Sequence, residues 1–170
     1  MIRLVGAVLL TAGSALLGLC AVGRLDSRVQ ELRQLILGLE TMAREMDYRL
    51  APLPELLERA AAETEDRVSR FFTLCAQGAS HLNGRAFHTV WCQAAEAAQL
   101  RLEQPDMALL EQLGCVLGRY DGESQRRALA AAAARLEQRH SEAVERRRRQ
   151  GRVYSVLGLT AGAFLMILLI

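Results

Sequence analysis

The sequence predicts an all-α protein, an antiparallel helical bundle of about six helices flanked by amino- and carboxy-terminal transmembrane helices. Three observations carry that reading. Both ends of the chain are long uncharged apolar runs, Leu4 to Gly23 and Val153 to Ile170. Between them, apolar residues recur at spacings of three and four, and no segment alternates as a half-buried strand does. The prolines and the asparagine between the spans stand where one such segment gives way to the next, with Gly84, Gly118 and Gly122 in the same places. The expected organisation is a first membrane helix over 1–23, a cytoplasmic bundle over 24–152 and a second membrane helix over 153–170.

Each span has an appropriate length. Leu4 to Gly23 is twenty residues without a charge, and Val153 to Ile170 is eighteen. At a rise of 1.5 Å per residue the shorter run reaches about 27 Å, close to a hydrocarbon core of roughly 30 Å. A cleaved signal peptide is the rival for the first run. Its apolar core is long for that role, and Ala21-Val22-Gly23 is a marginal cleavage site. Small residues mark both runs, Ser14 and Gly18 in the first and Gly158 and Gly162 in the second. The latter pair forms a GxxxG that suits close packing within or between chains.

Between the spans the helices follow in order. Asp26 or Ser27 caps a helix to about Leu50, with Val29, Leu32, Ile36, Leu39, Ala43, Met46 and Leu50 as its seam. Ala51-Pro52-Leu53-Pro54 stops it, because a residue preceding proline is driven out of the α region. Pro54 then suits the first turn of a second helix to about Glu63. Asp66 starts a third helix through about Gln77, with Val68, Phe71, Phe72 and Cys75 apolar, and Ala79 to Gly84 forms a turn. A fourth helix, Arg85 to about Leu100, buries Phe87, Val90, Trp91 and Ala94. Pro105 opens a fifth, with Leu109, Leu110, Leu113 and Leu117 inward. Asp121 caps the last helix, Glu123 to Ile170, whose stripe is Leu129, Ala133, Leu136, His140 and Val144.

Charge sets the orientation. All 21 basic residues are arginine, and the absence of lysine excludes a P-loop, a kinase lysine and Schiff-base chemistry. From Arg24 to Glu145 there are fifteen arginines and nineteen carboxylates, a net of −4. An acidic body argues against nucleic acid, which requires a basic face. Arg146, Arg147, Arg148, Arg149 and Arg152 form a local basic collar suited to anionic head groups, each arginine worth about 1 kcal/mol near such a surface. Arginines flank both spans on their inner sides, so the positive-inside rule places the bundle in the cytoplasm and both termini across the membrane.

No catalytic motif is present: there is no G-x-S-x-G, no HExxH and no glycine-rich phosphate loop. No cofactor is expected. His88 and Cys92, four apart, combine on paper with His81 and Cys75 into a four-ligand set, and an alternative reading is a small membrane-bound metal-binding protein or enzyme using His81, His88 and Cys92. The spacing matches no zinc signature, and such residues in apolar stripes are usually core. The carboxylates Glu55, Glu58, Glu63, Glu65 and Asp66 make the most negative stretch of the chain. They form either a solvated helical face or an acidic docking surface.

Several segments together resemble a known family: Ala51-Pro52-Leu53-Pro54-Glu55 after the first long helix, Leu117-Gly118-Arg119-Tyr120-Asp121 followed by Gln125, and Gly151-Arg152-Val153-Tyr154-Ser155-Val156-Leu157-Gly158 leading into Ile167-Leu168-Leu169-Ile170. In that order, behind a glycine- and leucine-rich first span, they are similar to the stage III sporulation protein AB family of endospore-forming bacteria. The arginine-only basic content departs from the family pattern. The resemblance implies a soluble domain similar to the cytoplasmic domain of type II secretion F proteins. It also implies a cytoplasmic partner ATPase, stage III sporulation protein AA, and other membrane channel subunits. The place implied is the outer forespore membrane, in a channel between mother cell and forespore needed for late forespore gene expression, with the domain facing the mother-cell cytoplasm.

The topology is testable by cysteine-accessibility labelling in a cysteine-free background. A cysteine introduced near position 100 is expected to resist an impermeant reagent added from outside; strong labelling there overturns the assignment.

Overall fold

The computed structural model describes residues 26–46, 51–82, 84–118 and 122–169, the last segment with side chains to Arg149. Every regular element among these residues is a helix. Helix α1 covers 26–46, α2 Leu53–Glu63, α3 Asp66–Ser80, α4 Phe87–Ala98, α5 Gln104–Val116 and α6 Gly122–Leu169. The chain divides into two compact units, Arg28–Ser141 on one hand and Met1–Ser27 with Glu142–Ile170 on the other.

Local chemistry explains most boundaries. Pro52 stands extended at the N-cap of α2 and Pro54 lies in its first turn, where a missing amide proton costs nothing. The α2–α3 corner contains no glycine. Thr64 Oγ1 donates to the Ala60 carbonyl at 2.7 Å, and Ser69 Oγ reaches back to the Ala61 carbonyl at 2.8 Å, so hydroxyls satisfy the carbonyls that α2 leaves open. Asp66 takes the left-handed φ of 51° that turns the chain there, a conformation aspartate tolerates better than most residues. Helix α3 continues through Ala79 and Ser80, beyond the expected end at Gln77, so the expected turn begins two residues later than its composition suggests. Helix α4 begins at Phe87 and ends on Gln99, which is left-handed at φ 54°.

Inside the Arg28–Ser141 unit an aromatic cluster joins α3 to α4. Phe71 and Trp91 meet edge-on with centroids 4.7 Å apart, Phe72 lies 5.0 Å from Phe71, and Phe87 lies 5.7 Å from Trp91. The Trp91 indole Nε1–H donates to the Leu110 carbonyl at 2.8 Å, which ties α4 to α5 without leaving its polar atom stranded. Helix α1 closes over this cluster at Gly38, where a Cβ would fall within 2.7 Å of the Phe72 ring.

The buried seam of α1 differs from the one the spacing predicts. Leu32 and Leu39 are buried as expected, but Leu35 and Met42 complete the core, while Val29, Ile36, Ala43 and Met46 are only half-buried. The inward face also carries Arg28, Glu31 and Thr41, all buried. A search for apolar residues passes over those positions and rotates the apparent stripe. Two smaller corrections concern α5 and α6. Leu109 is half-buried beside the buried Leu110, Leu113 and Leu117 of its segment. On α6 Val144 is 39% exposed and Ala143 is buried, seven residues beyond Leu136, which itself follows Leu129 by seven.

Among the described residues no helix is long and apolar enough to cross a membrane. The expected first span and Asp121, the expected cap of α6, lie outside the described residues. Within the expected second span the backbone is helical through Leu169, and its side chains lie outside the description.

Gly38→Val is expected to lower stability by about 1–3 kcal/mol, the usual cost of overpacking a filled core. Thermal unfolding of the Arg28–Ser141 domain checks this. Phe72→Leu in the same chain is expected to recover part of the loss, and additive losses would place the strain elsewhere.

Candidate functional site

Two sets of charged residues emerge, one internal and one external. The internal set centres on Asp106, which is fully buried in the first turn of α5. Its Oδ2 accepts from Arg28 Nε at 2.8 Å and lies 2.8 Å from Arg28 Nη2, while Oδ1 accepts from Arg139 Nε at 2.9 Å. Arg28 also reaches Glu103 Oε1 at 2.8 Å, and Arg139 Nη2 stands 3.8 Å from Glu103 Oε2. The Glu103 amide donates to Asp106 Oδ2 at 3.2 Å, so the same carboxylate caps α5. One carboxylate thus receives arginines from α1 and α6.

The electrostatics follow. Burial alone pushes the Asp106 carboxyl up; the hydrogen bonds from Arg28 and Arg139 more than offset it and hold the group below the ordinary carboxylate range. Glu31, one turn along α1, goes the other way. Burial raises it, and the Arg101 backbone amide that donates to Oε2, with Arg67 at 4.0 Å, offsets only part of that rise. Arg67 in turn donates through Nη1 to the Gln99 carbonyl. Two buried polar residues of α1 therefore hold the 101–106 stretch, and Arg67 of α3 holds Gln99. Sequence reading missed this set because its members lie 78 and 33 residues apart; the one signal was an aspartate at the third position of a helix behind Glu103.

The external set contains the acidic residues expected to dock a partner. Glu55 is half-buried and pairs with Arg59 at 3.0 Å, and Arg59 also holds Glu45 at 2.9 Å. Glu58, Glu63, Glu65 and Asp66 are exposed and form no ion pair among the described residues. They follow the outer side of α2, opposite the buried Leu56, Leu57 and Ala60, and continue over the α2–α3 corner.

The metal-ligand alternative finds no support. His81 is exposed with Nδ1 3.2 Å from its own helix carbonyl at Gln77. His88 Nε2 lies 3.5 Å from Cys92 Sγ, but Cys75 is buried in the core and burial drives its thiol far up. Cys92 is also raised, first by burial and then by Glu111, Cys115 and Glu96. Among the described residues no three His, Cys, Asp or Glu side chains are placed to hold a metal ion.

In the other unit, Arg146, Arg147, Arg148 and Arg149 are exposed on α6. Arg147 Nε contacts Asp26 Oδ1, and Arg149 lies 3.3 Å from Glu145. The side chain of Arg152 lies outside the described residues.

The fold and its charges define a helical-bundle domain held by a buried ion cluster and bearing an unneutralised acidic surface. Comparison with known proteins places it more narrowly. The family model for stage III sporulation protein AB matches residues 3–170, and the chain belongs to that family. It is similar to stage III sporulation protein AB of Bacillus subtilis (strain 168), 26% identical over 171 residues and covering 99% of both chains. A solved structure of a stage III sporulation protein AB has the same fold, with a TM-score of 0.64 at 24% identity, over 71% of this chain and 96% of that one.

Asp106→Ala is expected to cost about 3–5 kcal/mol, because it strips the buried Arg28 of its fully buried carboxylate and leaves it only the half-exposed Glu103. Replacing Arg28, Asp106 and Arg139 together with Met, Leu and Met is expected to cost less than that single change. A carboxylate held below its unfolded value contributes stability that is present above about pH 4 and is lost as pH falls through the folded value. Glu31, held above its unfolded value, contributes stability at low pH that is lost as pH rises through its folded value. Asp106→Asn is therefore expected to flatten the acid limb of thermal stability below about pH 4. An unchanged acid limb in pH-dependent unfolding overturns this account of Asp106.

Proposed function

We propose that the chain is a non-enzymatic, membrane-held platform of a sporulation channel between mother cell and forespore, and that its helical domain docks a partner ATPase in the mother-cell cytoplasm. Family membership supplies the sporulation context. The observation that carries the docking reading is the unequal treatment of carboxylates. Asp106, Glu31, Glu103 and Glu55 are each matched to an arginine or a backbone amide. Glu58, Glu63, Glu65 and Asp66 are left exposed, and none has an ion pair among the described residues. Exposed charges contribute little to folding, so these four are available to a basic partner surface that they would steer and orient.

The anchors belong to the same proposal. Runs 1–23 and 153–170 are read as the two spans, with Arg146 to Arg149 and Arg152 at the cytoplasmic head-group level. In that setting Arg147 already has Asp26 as a partner, and Arg148 faces solvent for an anionic lipid. Other channel subunits would meet the platform in or beside the bilayer.

The test reverses Glu58, Glu63 and Glu65 to arginine in the full chain reconstituted in nanodiscs and titrates the ATPase against it. Affinity at low salt is expected to fall about tenfold or more, about 1.4 kcal/mol, with circular dichroism unchanged. Wild-type affinity in the folded variant overturns the acidic surface as the docking site.

A further inference from the structure

An open groove of about 490 Å³ lies at one end of the Arg28–Ser141 unit, within the range of about 300–1,000 Å³ typical of ligand clefts. It gathers the first turn of α2, the end of α3, the start of α4 and the end of α5, which is where alternating helices bring their connections together. Its floor is apolar: Leu117 and Phe87 are buried, and Leu53 and Leu82 are half-buried. Gly118 keeps it open. Its φ of +81° disfavours a side chain, and a Cβ there would stand 3.3 Å from Phe87 Cβ and reach toward Leu53.

Among the described residues the rim carries one guanidinium. Arg85 is exposed and makes no ion pair among the described residues. Its backbone amide donates to the Leu82 carbonyl at 2.8 Å, which fixes the turn that presents it. In a body of net negative charge, an arginine on the lip of an apolar groove selects for a carboxylate beside an apolar group. Leu53 and Pro54 of its wall open α2, and the exposed Glu58 stands one turn further along the same helix.

We propose that this groove seats a large apolar side chain of the docked ATPase, with a carboxylate from the same segment held by Arg85. The inference rests on the docking reading and divides its labour. The acidic face supplies salt-sensitive attraction, and the groove supplies a buried anchor of the kind that dominates binding energy at interfaces. The groove contact, being largely apolar, persists at salt concentrations that screen the acidic face.

The experiment uses the full chain in nanodiscs, titrated with the ATPase at low and at high salt. Ala86→Trp fills the mouth from an exposed position, Arg85→Glu reverses the rim charge, and Arg85→Lys retains it. Ala86→Trp and Arg85→Glu are each expected to weaken binding about tenfold or more, and to abolish what remains at high salt. Arg85→Lys is expected to lose less. If both disruptive variants bind like wild type while the Glu58, Glu63 and Glu65 reversal does not, the groove proposal falls and the docking reading stands. If the wild-type chain binds no ATPase at either salt, both fall. If Ala86→Trp alters only self-association, measured by the mass of the particle without ATPase, the occupant is a second copy and the proposal is overturned.

Discussion

The bundle depends on one buried carboxylate. Asp106 has no solvent exposure, and it stays ionised because guanidinium groups from α1 and α6 satisfy both its oxygens. Removing charges from water is expensive, and such a cluster breaks roughly even only when every member is satisfied. That condition limits where α1, α5 and α6 can stand, since a shift along any of them leaves a buried charge unmatched. Apolar packing is less exacting, because leucine faces slide against one another at modest cost. The aromatic cluster of Phe71, Phe72, Phe87 and Trp91 supplies bulk burial for α3 and α4, and the ion cluster sets register for the helices around them.

Helix number, order and type were legible because proline, glycine and apolar spacing are local signals. Pro52 and Pro54 mark the start of α2, and the unbroken run from Glu123 marks α6. The face of α1 was not legible, because Arg28 and Glu31 look like solvent-facing residues until their partners at 103–106 and 101 are known. Thr64 and Ser69 likewise read as ordinary polar positions, and only the folded corner reveals which carbonyls their hydroxyls satisfy. The acidic run was legible as composition. The structure separates Glu55, which is engaged by Arg59, from Glu58, Glu63, Glu65 and Asp66, which are not engaged in this way. The groove at Arg85 gave no sequence signal, since its walls come from one end of each of four helices.

Charge is therefore used in two ways within one small domain. Inside, it is matched and dehydrated, and its value is geometric. On the outer side of α2 it is unmatched and hydrated, and its value lies in the field it projects toward an approaching surface. A conservative change of Asp to Asn has opposite meanings in the two places: it disarms a structural joint at Asp106 and merely dims a field at Asp66.

The hydroxyl-closed corner between α2 and α3 has a consequence for association. Thr64 and Ser69 bind the turn to the carbonyls of α2, so the loop that carries Glu65 and Asp66 is tied down rather than free to sample alternatives. The carboxylates on either side of it are displayed at set separations before any partner arrives. A surface ordered in advance forfeits little conformational freedom on complex formation, and more of each contact survives as net affinity.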